Sequence, residues 1–215
     1  VSTPAERGDG PPPSPLDAAW RRHLSTDTSL LTRLVGRHRE KHRRYHTAAH
    51  VEAVVGVVIE LDAQEPADDL GAVIAAAMYH DAVYEPASPA NERASARLAR
   101  RDLGTLGWEP ERVARVAHMI EATSDHLAPP DHDHALLFDA DLGILGADGR
   151  AYAAYADAVR AEYRHVDDDA WRVGRRRVLE SLLERPEIYA TTTGRSRWEA
   201  TARANMADEL ESLNG

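Results

Sequence analysis

An all-α fold in a single compact domain is what this chain of 215 residues predicts, and three observations carry the expectation. Valine-rich runs are few, and none keeps the sustained period of two that a half-buried strand requires. Proline, glycine and small polar residues cut the chain into helix-length segments joined by short turns. The length suits one sizeable core, and no repeat of fixed period divides it.

The segments follow in order. Residues 1–15, "VSTPAERGDGPPPSP", hold proline, glycine and small polar residues, and predict a disordered tail without the apolar core of a secretory leader. From Leu16 the expected domain runs to residue 215, with helices at 16–24, 27–42, 48–64, 68–81, 89–103, 109–122, 134–146, 148–165, 168–185 and 196–212. Thr47, Ser88 and Asp148 have the chemistry of N-caps, and Pro89 and Pro110 suit first-turn positions. Gly104 and Gly107 flank a stop, while Pro66, Pro86 and Pro186 interrupt helical patterns.

Composition narrows the function classes. With 36 acidic against 26 basic side chains, the net charge is −10, which argues against a nucleic-acid polymer as partner. The absence of cysteine excludes disulfides, thiolate metal sites and a cysteine nucleophile, so any metal needs nitrogen and oxygen ligands. The longest apolar stretches, 51–59 and 70–79, are about half the length of a membrane span. A cytoplasmic protein without membrane association is expected. The basic runs "RLVGRHREKHRR" (33–44) and "RVGRRR" (172–177) read as solvated helix faces. Arg43 and Arg44 stand apart because they precede a histidine cluster.

That cluster is "YHTAAH", residues 45–50. Thr47 as cap leaves His46 outside the helix and puts His50 in its first turn, on the side of Val54, Val58 and Leu61. Next comes "YHDAVY", residues 79–84, which sets His80 beside Asp81 at the end of an apolar run. A charged Asp81 there is costly unless something compensates it. Third is "FDADLGILG", residues 138–146. Side chains two apart on a helix diverge by about 200°, so Asp139 and Asp141 cannot both face one ion. Asp141 aligns with Leu137, Ile144 and Leu145 and is the better inward candidate; a polar turn at a glycine-interrupted helix is the alternative. "DHDHA" (131–135) looks like a metal tract but follows two prolines, and reads as an exposed loop and helix start. Tyr79 and Tyr84 read as packing, with hydroxyls at the rim.

The succession His, His-Asp, Asp resembles the HD-domain superfamily of metal-dependent phosphohydrolases. The chain is most similar to a bacterial branch described as predicted phosphohydrolases. The likeness rests on Tyr45, His46 and His50; His80 to Tyr84; Asn91, Glu92 and Ser95; and Ala122, Thr123 and His126. It continues through Asp139 to Gly146, then Arg160, Glu162 and Tyr163, then Arg203 and Asn205. One departure is Thr47, where that branch commonly has asparagine.

This resemblance implies that His50, His80, Asp81 and Asp141 hold a divalent ion. Mixed nitrogen and oxygen ligands suit Mn, Fe, Co, Ni or Zn, with Mg also admissible. The expected reaction is hydrolysis of a phosphate ester of a small molecule, a nucleotide among the options, by a metal-activated water. Asp81 would combine coordination with proton acceptance. Glu92 is a base or an orienting partner of a histidine, and His126 an acid, a phosphate contact or a ligand of a second ion. His46 is a phosphate contact, a second-ion ligand or a partner orienting His50. Arg43, Arg44 and Arg160 are the expected phosphate neutralisers, and a homodimer is allowed. Two competing readings remain: a di-iron oxygenase on the same fold, for which His46 and His126 would supply extra ligands, and a non-catalytic metal- or nucleotide-binding module.

Overall fold

A computed structural model of the protein describes residues 14–213, and among these the secondary structure is entirely helical. The expected tail, 1–15, lies outside the described residues up to position 13. Its last two residues belong to the first helix: Ser14 caps α1 (Pro15–His23) by accepting from the Asp17 N–H, and Pro15 occupies the first turn. There follow α2 (Ser29–Arg37), α3 (Ala48–Asp62), α4 (Leu70–Tyr79), α5 (Asn91–Thr105) and α6 (Pro110–Ala122). Next come α7 (His132–Asp141), a 3-10 segment (Leu142–Gly146), α8 (Gly149–Glu162), α9 (Asp168–Leu183) and α10 (Thr192–Ser212). No helix among the described residues is long and apolar enough to cross a membrane.

The centre of the fold is α4. Its sequence, "LGAVIAAAMY", is apolar on every face, and Gly71 to Tyr79 are all buried. Around it pack α3, α5, α6 and α7, with α1 closing one side through the fully buried Trp20. The second half of the chain is tied in through α7 and the 3-10 segment, on which α8 and α10 pack.

Each expected helix is present, with instructive shifts at the ends. The second stops at Arg37 rather than 42. His38 is buried, with its Nε2 3.2 Å from the Met78 carbonyl, so the chain leaves the helix to pack on the end of α4. Ser88 is not a helix cap and Pro89 lies outside the first turn, because α5 starts at Asn91; Thr47 and Asp148 hold the cap positions expected of them. "DHDHA" is a helix start, as expected, but no exposed loop. Asp131 caps α7, while Asp133 is buried and takes the N–H groups of Asp68 and Asp69 at 2.8 and 3.1 Å. That carboxylate latches the start of α7 to the start of α4.

Candidate metal centre

Three helix ends converge. Thr47 opens α3, which places His50 in its first turn, buried. His80 closes the last turn of α4, its N–H bonding the Ala76 carbonyl at 2.9 Å, and Asp81 follows immediately. Asp141 ends α7. The apolar bodies of the helices thus bury the histidines, while the helix ends supply the bends that turn ligand atoms toward one point.

At that point the Nε2 atoms of His50 and His80 are 3.2 Å apart. Asp141 Oδ1 lies 3.2 Å from the first and 3.4 Å from the second. Asp81 Oδ2 lies 3.6 and 3.1 Å from the same two atoms. His50, His80 and Asp141 form the group among the described residues whose ligand atoms all fall within 4.8 Å of one another. Ligands at right angles on bonds of about 2.1 Å stand about 3.0 Å apart, so the separations among His50, His80 and Asp141 match a common ion. Asp81, the fourth expected ligand, is near both imidazoles but falls outside that group.

The donor chemistry agrees. His80 Nδ1 is 2.8 Å from the Ala77 carbonyl and carries the proton that bond needs. In the neutral ring its Nε2 therefore presents a lone pair toward another imidazole and two carboxylates, an arrangement that calls for a cation. Without a metal a proton takes that place: burial alone would lower the pKa of His80, but Asp81 and Asp141 outweigh it and hold the value well above the ordinary one. What the carboxylates stabilise at Nε2 is thus a cation, proton or metal. Burial likewise works to raise the two aspartates, and His80 foremost among their neighbours pulls both well below the ordinary carboxylate range.

The supporting contacts explain why so many polar residues surround the candidate ligands. Segment 80–85 is held by Ser95, whose hydroxyl accepts from the Val83 N–H and donates to the Val83 carbonyl, and by Asn91, whose amide pairs with both backbone groups of Glu85. Glu162 grips segment 44–46. Its Oε1 accepts the N–H groups of Arg44, Tyr45 and His46 at 2.7, 2.8 and 3.0 Å. Its Oε2 takes the Tyr84 hydroxyl at 2.9 Å and His46 Nδ1 at 2.7 Å. Burial works against the charge on Glu162, yet His46 and these N–H groups bring its pKa down to about 2. His126 reaches the outer oxygen of Asp141 at 2.9 Å from a left-handed backbone, φ 47°. Arg185 secures that strained residue by donating to the carbonyls of Asp125 and His126.

No protein-family model, curated protein or solved structure matches this chain. Geometry is what places the expected site residues. His46, Asp81, Glu92 and His126 line one cavity of about 580 Å³ together with His80 and Asp141.

The expected arginines do not line it. Arg43 is buried, and its guanidinium donates to the carbonyls of His46 and Asp81 at 2.9 and 2.8 Å, so it braces the ligand segments instead of meeting a phosphate. Arg44 is exposed and folds onto the carbonyls of Lys41 and Arg43. Arg160 joins the end of α8 to α9 through the Tyr163 carbonyl and Asp168. The arginine that does line the cavity is Arg175, from the run read as a solvated face. It is buried and bonded to both oxygens of Glu209 at 2.8 and 2.9 Å. Nothing in "RVGRRR" marks Arg175 off from Arg172, Arg176 or Arg177; only the packing of α9 on α10 turns it inward.

Asp139 and Asp141 separate as helix geometry requires. Asp139 turns away to accept the N–H groups of Ala190 and Thr191, both at 2.8 Å, and the Thr191 hydroxyl at 2.6 Å. Tyr79 is fully buried rather than at a rim, and its hydroxyl lies 3.3 Å from Asp102. Tyr84 stacks on His46 with ring centroids 4.2 Å apart, which makes it part of the site's wall.

Proposed function

We propose that the chain is a metal-dependent phosphohydrolase of the HD-domain type, acting on a phosphate ester of a small molecule. The observation that carries the reading is the convergence of two imidazole nitrogens and the Asp141 carboxylate, from three helix ends, with Asp81 beside both imidazoles, at a cavity large enough for a small ligand. His50, His80, Asp81 and Asp141 would hold the ion, with Mn, Fe, Co, Ni, Zn or Mg as the options for this ligand set. When bound, such an ion supplies Lewis acidity to a phosphoryl oxygen and makes water a stronger acid near neutrality.

The chain's own groups do the rest. Asp81, beside His80 and open to the cavity, is placed to accept a proton from the attacking water. His126 bonds the outer oxygen of Asp141 and so fixes that carboxylate's rotation, and it borders the cavity where a leaving alcohol needs a proton. Glu92, in the first turn of α5, faces the same space as a further proton carrier. His46 is oriented by Glu162, with its ring against Tyr84, as a donor toward a bound phosphate. The hydrogen bonds of His46 to Glu162 and of His126 to Asp141 give both imidazoles roles that need no second ion, which favours hydrolysis over the oxygenase alternative.

Metal analysis of the purified chain, paired with a panel of phosphate esters, tests the proposal. Wild type should retain about one divalent ion per chain and release phosphate, and His80→Ala and Asp81→Ala should lose both properties. Full metal content in those two variants would show the ligand set to be wrong. Tight metal binding with no turnover across the panel would favour the binding-module reading.

A further inference from the structure

The cavity is chemically divided. The buried and half-buried histidines and carboxylates line one part, and α8 and α9, exposed at Ala170, Gly174 and Val178, build the outer wall. On α9 the stripe Ala170, Trp171, Gly174 and Val178, spaced as one helix face, borders the space, and Tyr155 and Tyr163 border it from α8 and its cap. Tyr163 and Trp171 lie with ring centroids 5.3 Å apart, so the wall offers aromatic surface.

Charge is scarce in this outer part. Among the described residues that line it there is no lysine, and the arginine is neutralised: Arg175 has both Glu209 oxygens on its guanidinium and a third bond to the Tyr155 hydroxyl at 3.2 Å. A di- or triphosphate would therefore bring charges that the outer wall leaves uncompensated, and a sugar would bring hydroxyls facing valine and aromatic carbon. Both are costly when water is displaced. A single phosphoryl group, by contrast, is matched by one divalent ion with the neighbouring imidazoles.

We propose that this cavity takes a single phosphoryl group carried on an apolar, ring-bearing body, which lies against Trp171 and Tyr155 while the phosphoryl group meets the His-Asp cluster. The proposal rests on the hydrolytic reading above. The reaction is then hydrolysis of a monoester: a water oxygen bonds to phosphorus, the phosphorus–oxygen bond to the alcohol breaks, and the products are inorganic phosphate and an apolar alcohol that takes up the proton.

Two measurements on the metal-loaded protein test it and keep its failure distinct from failure of hydrolysis. In the first, phosphate release is compared for 1-naphthyl phosphate, glucose 6-phosphate, AMP and tripolyphosphate. At least a roughly tenfold higher kcat/KM for the naphthyl ester is expected; equal or higher values for any of the others overturn the proposal while leaving hydrolysis standing. The second needs no turnover. Calorimetry compares 1-naphthylmethylphosphonate with methylphosphonate, and the naphthyl compound should bind at least roughly tenfold tighter. That ratio should collapse toward one in Trp171→Ala and in Gly174→Leu. A Cβ at Gly174 meets nothing within 4 Å, and leucine suits a helix better than glycine, so this variant narrows the cavity without straining α9. Equal affinities in wild type, or a ratio unmoved by both variants, overturn the proposal. If no ester is hydrolysed but the binding ratio holds and collapses as described, the apolar subsite stands and the hydrolytic reading falls.

Discussion

Replacing Glu162 with glutamine keeps the shape of the side chain and removes its charge, which isolates what the carboxylate contributes. The buried group serves three backbone N–H donors, the Tyr84 hydroxyl and His46, and its folded-state pKa is about 2 against an ordinary 4.5. That lowering corresponds to about 3 kcal/mol of stability at neutral pH. Because the folded pKa lies below the unfolded one, the contribution is fully present above about pH 4.5 and is lost as the pH falls toward 2.

Urea denaturation followed by circular dichroism should therefore find Glu162→Gln about 3 kcal/mol less stable than wild type at about pH 7, with the gap closing between about pH 4.5 and 2. A loss under about 1 kcal/mol, or one that stays constant down to about pH 3, would refute the account of Glu162 as an ionised clamp on segment 44–46.

Other substitutions separate metal binding from folding. Asp141→Ala should weaken metal binding by roughly a hundredfold or more by calorimetry, whereas Asp139→Ala should leave it intact and cost about 2–4 kcal/mol, since the N–H groups of Ala190 and Thr191 lose their acceptor. Arg43→Met should lower the melting temperature and weaken metal binding together, because the carbonyls of His46 and Asp81 lose their buried donor; loss of phosphate affinity alone would contradict that role. Gly146→Ala should cost about 1–3 kcal/mol in urea denaturation, because a Cβ there would sit 2.9 Å from the Trp198 Cα and press on its side chain.

The clustering of His50, His80 and Asp141 was legible because these residue types are unusual where they stand. A His-Asp pair at the end of an apolar helix is expensive without a partner, and the divergence of residues two apart on a helix by itself separates Asp141 from Asp139. Arginines resisted the same reasoning. Each carries a charge and a long stem, so its sequence context looks alike whether the guanidinium meets solvent, a carbonyl or a ligand. Arg43 turned inward as a brace, Arg44 and Arg160 folded onto local carbonyls, and Arg175 reached the cavity. Glu162 stood in a recognisable motif, yet nothing near it in the chain announces partners more than a hundred residues earlier.

Local chemistry thus determined what can be settled within a few turns: the helices among the described residues, the cap positions of Thr47 and Asp148, the apolar character of α4, and, in a chain without cysteine, the restriction of any metal ligand to nitrogen and oxygen. Tertiary structure alone decided where the helix ends meet, which carboxylates clamp backbone and which face the cavity, and how its outer wall is composed. The physical reason is range. Helix propensity and capping act between residues three or four apart, whereas the direction of a long charged side chain is set by whichever distant backbone or carboxylate can replace its water.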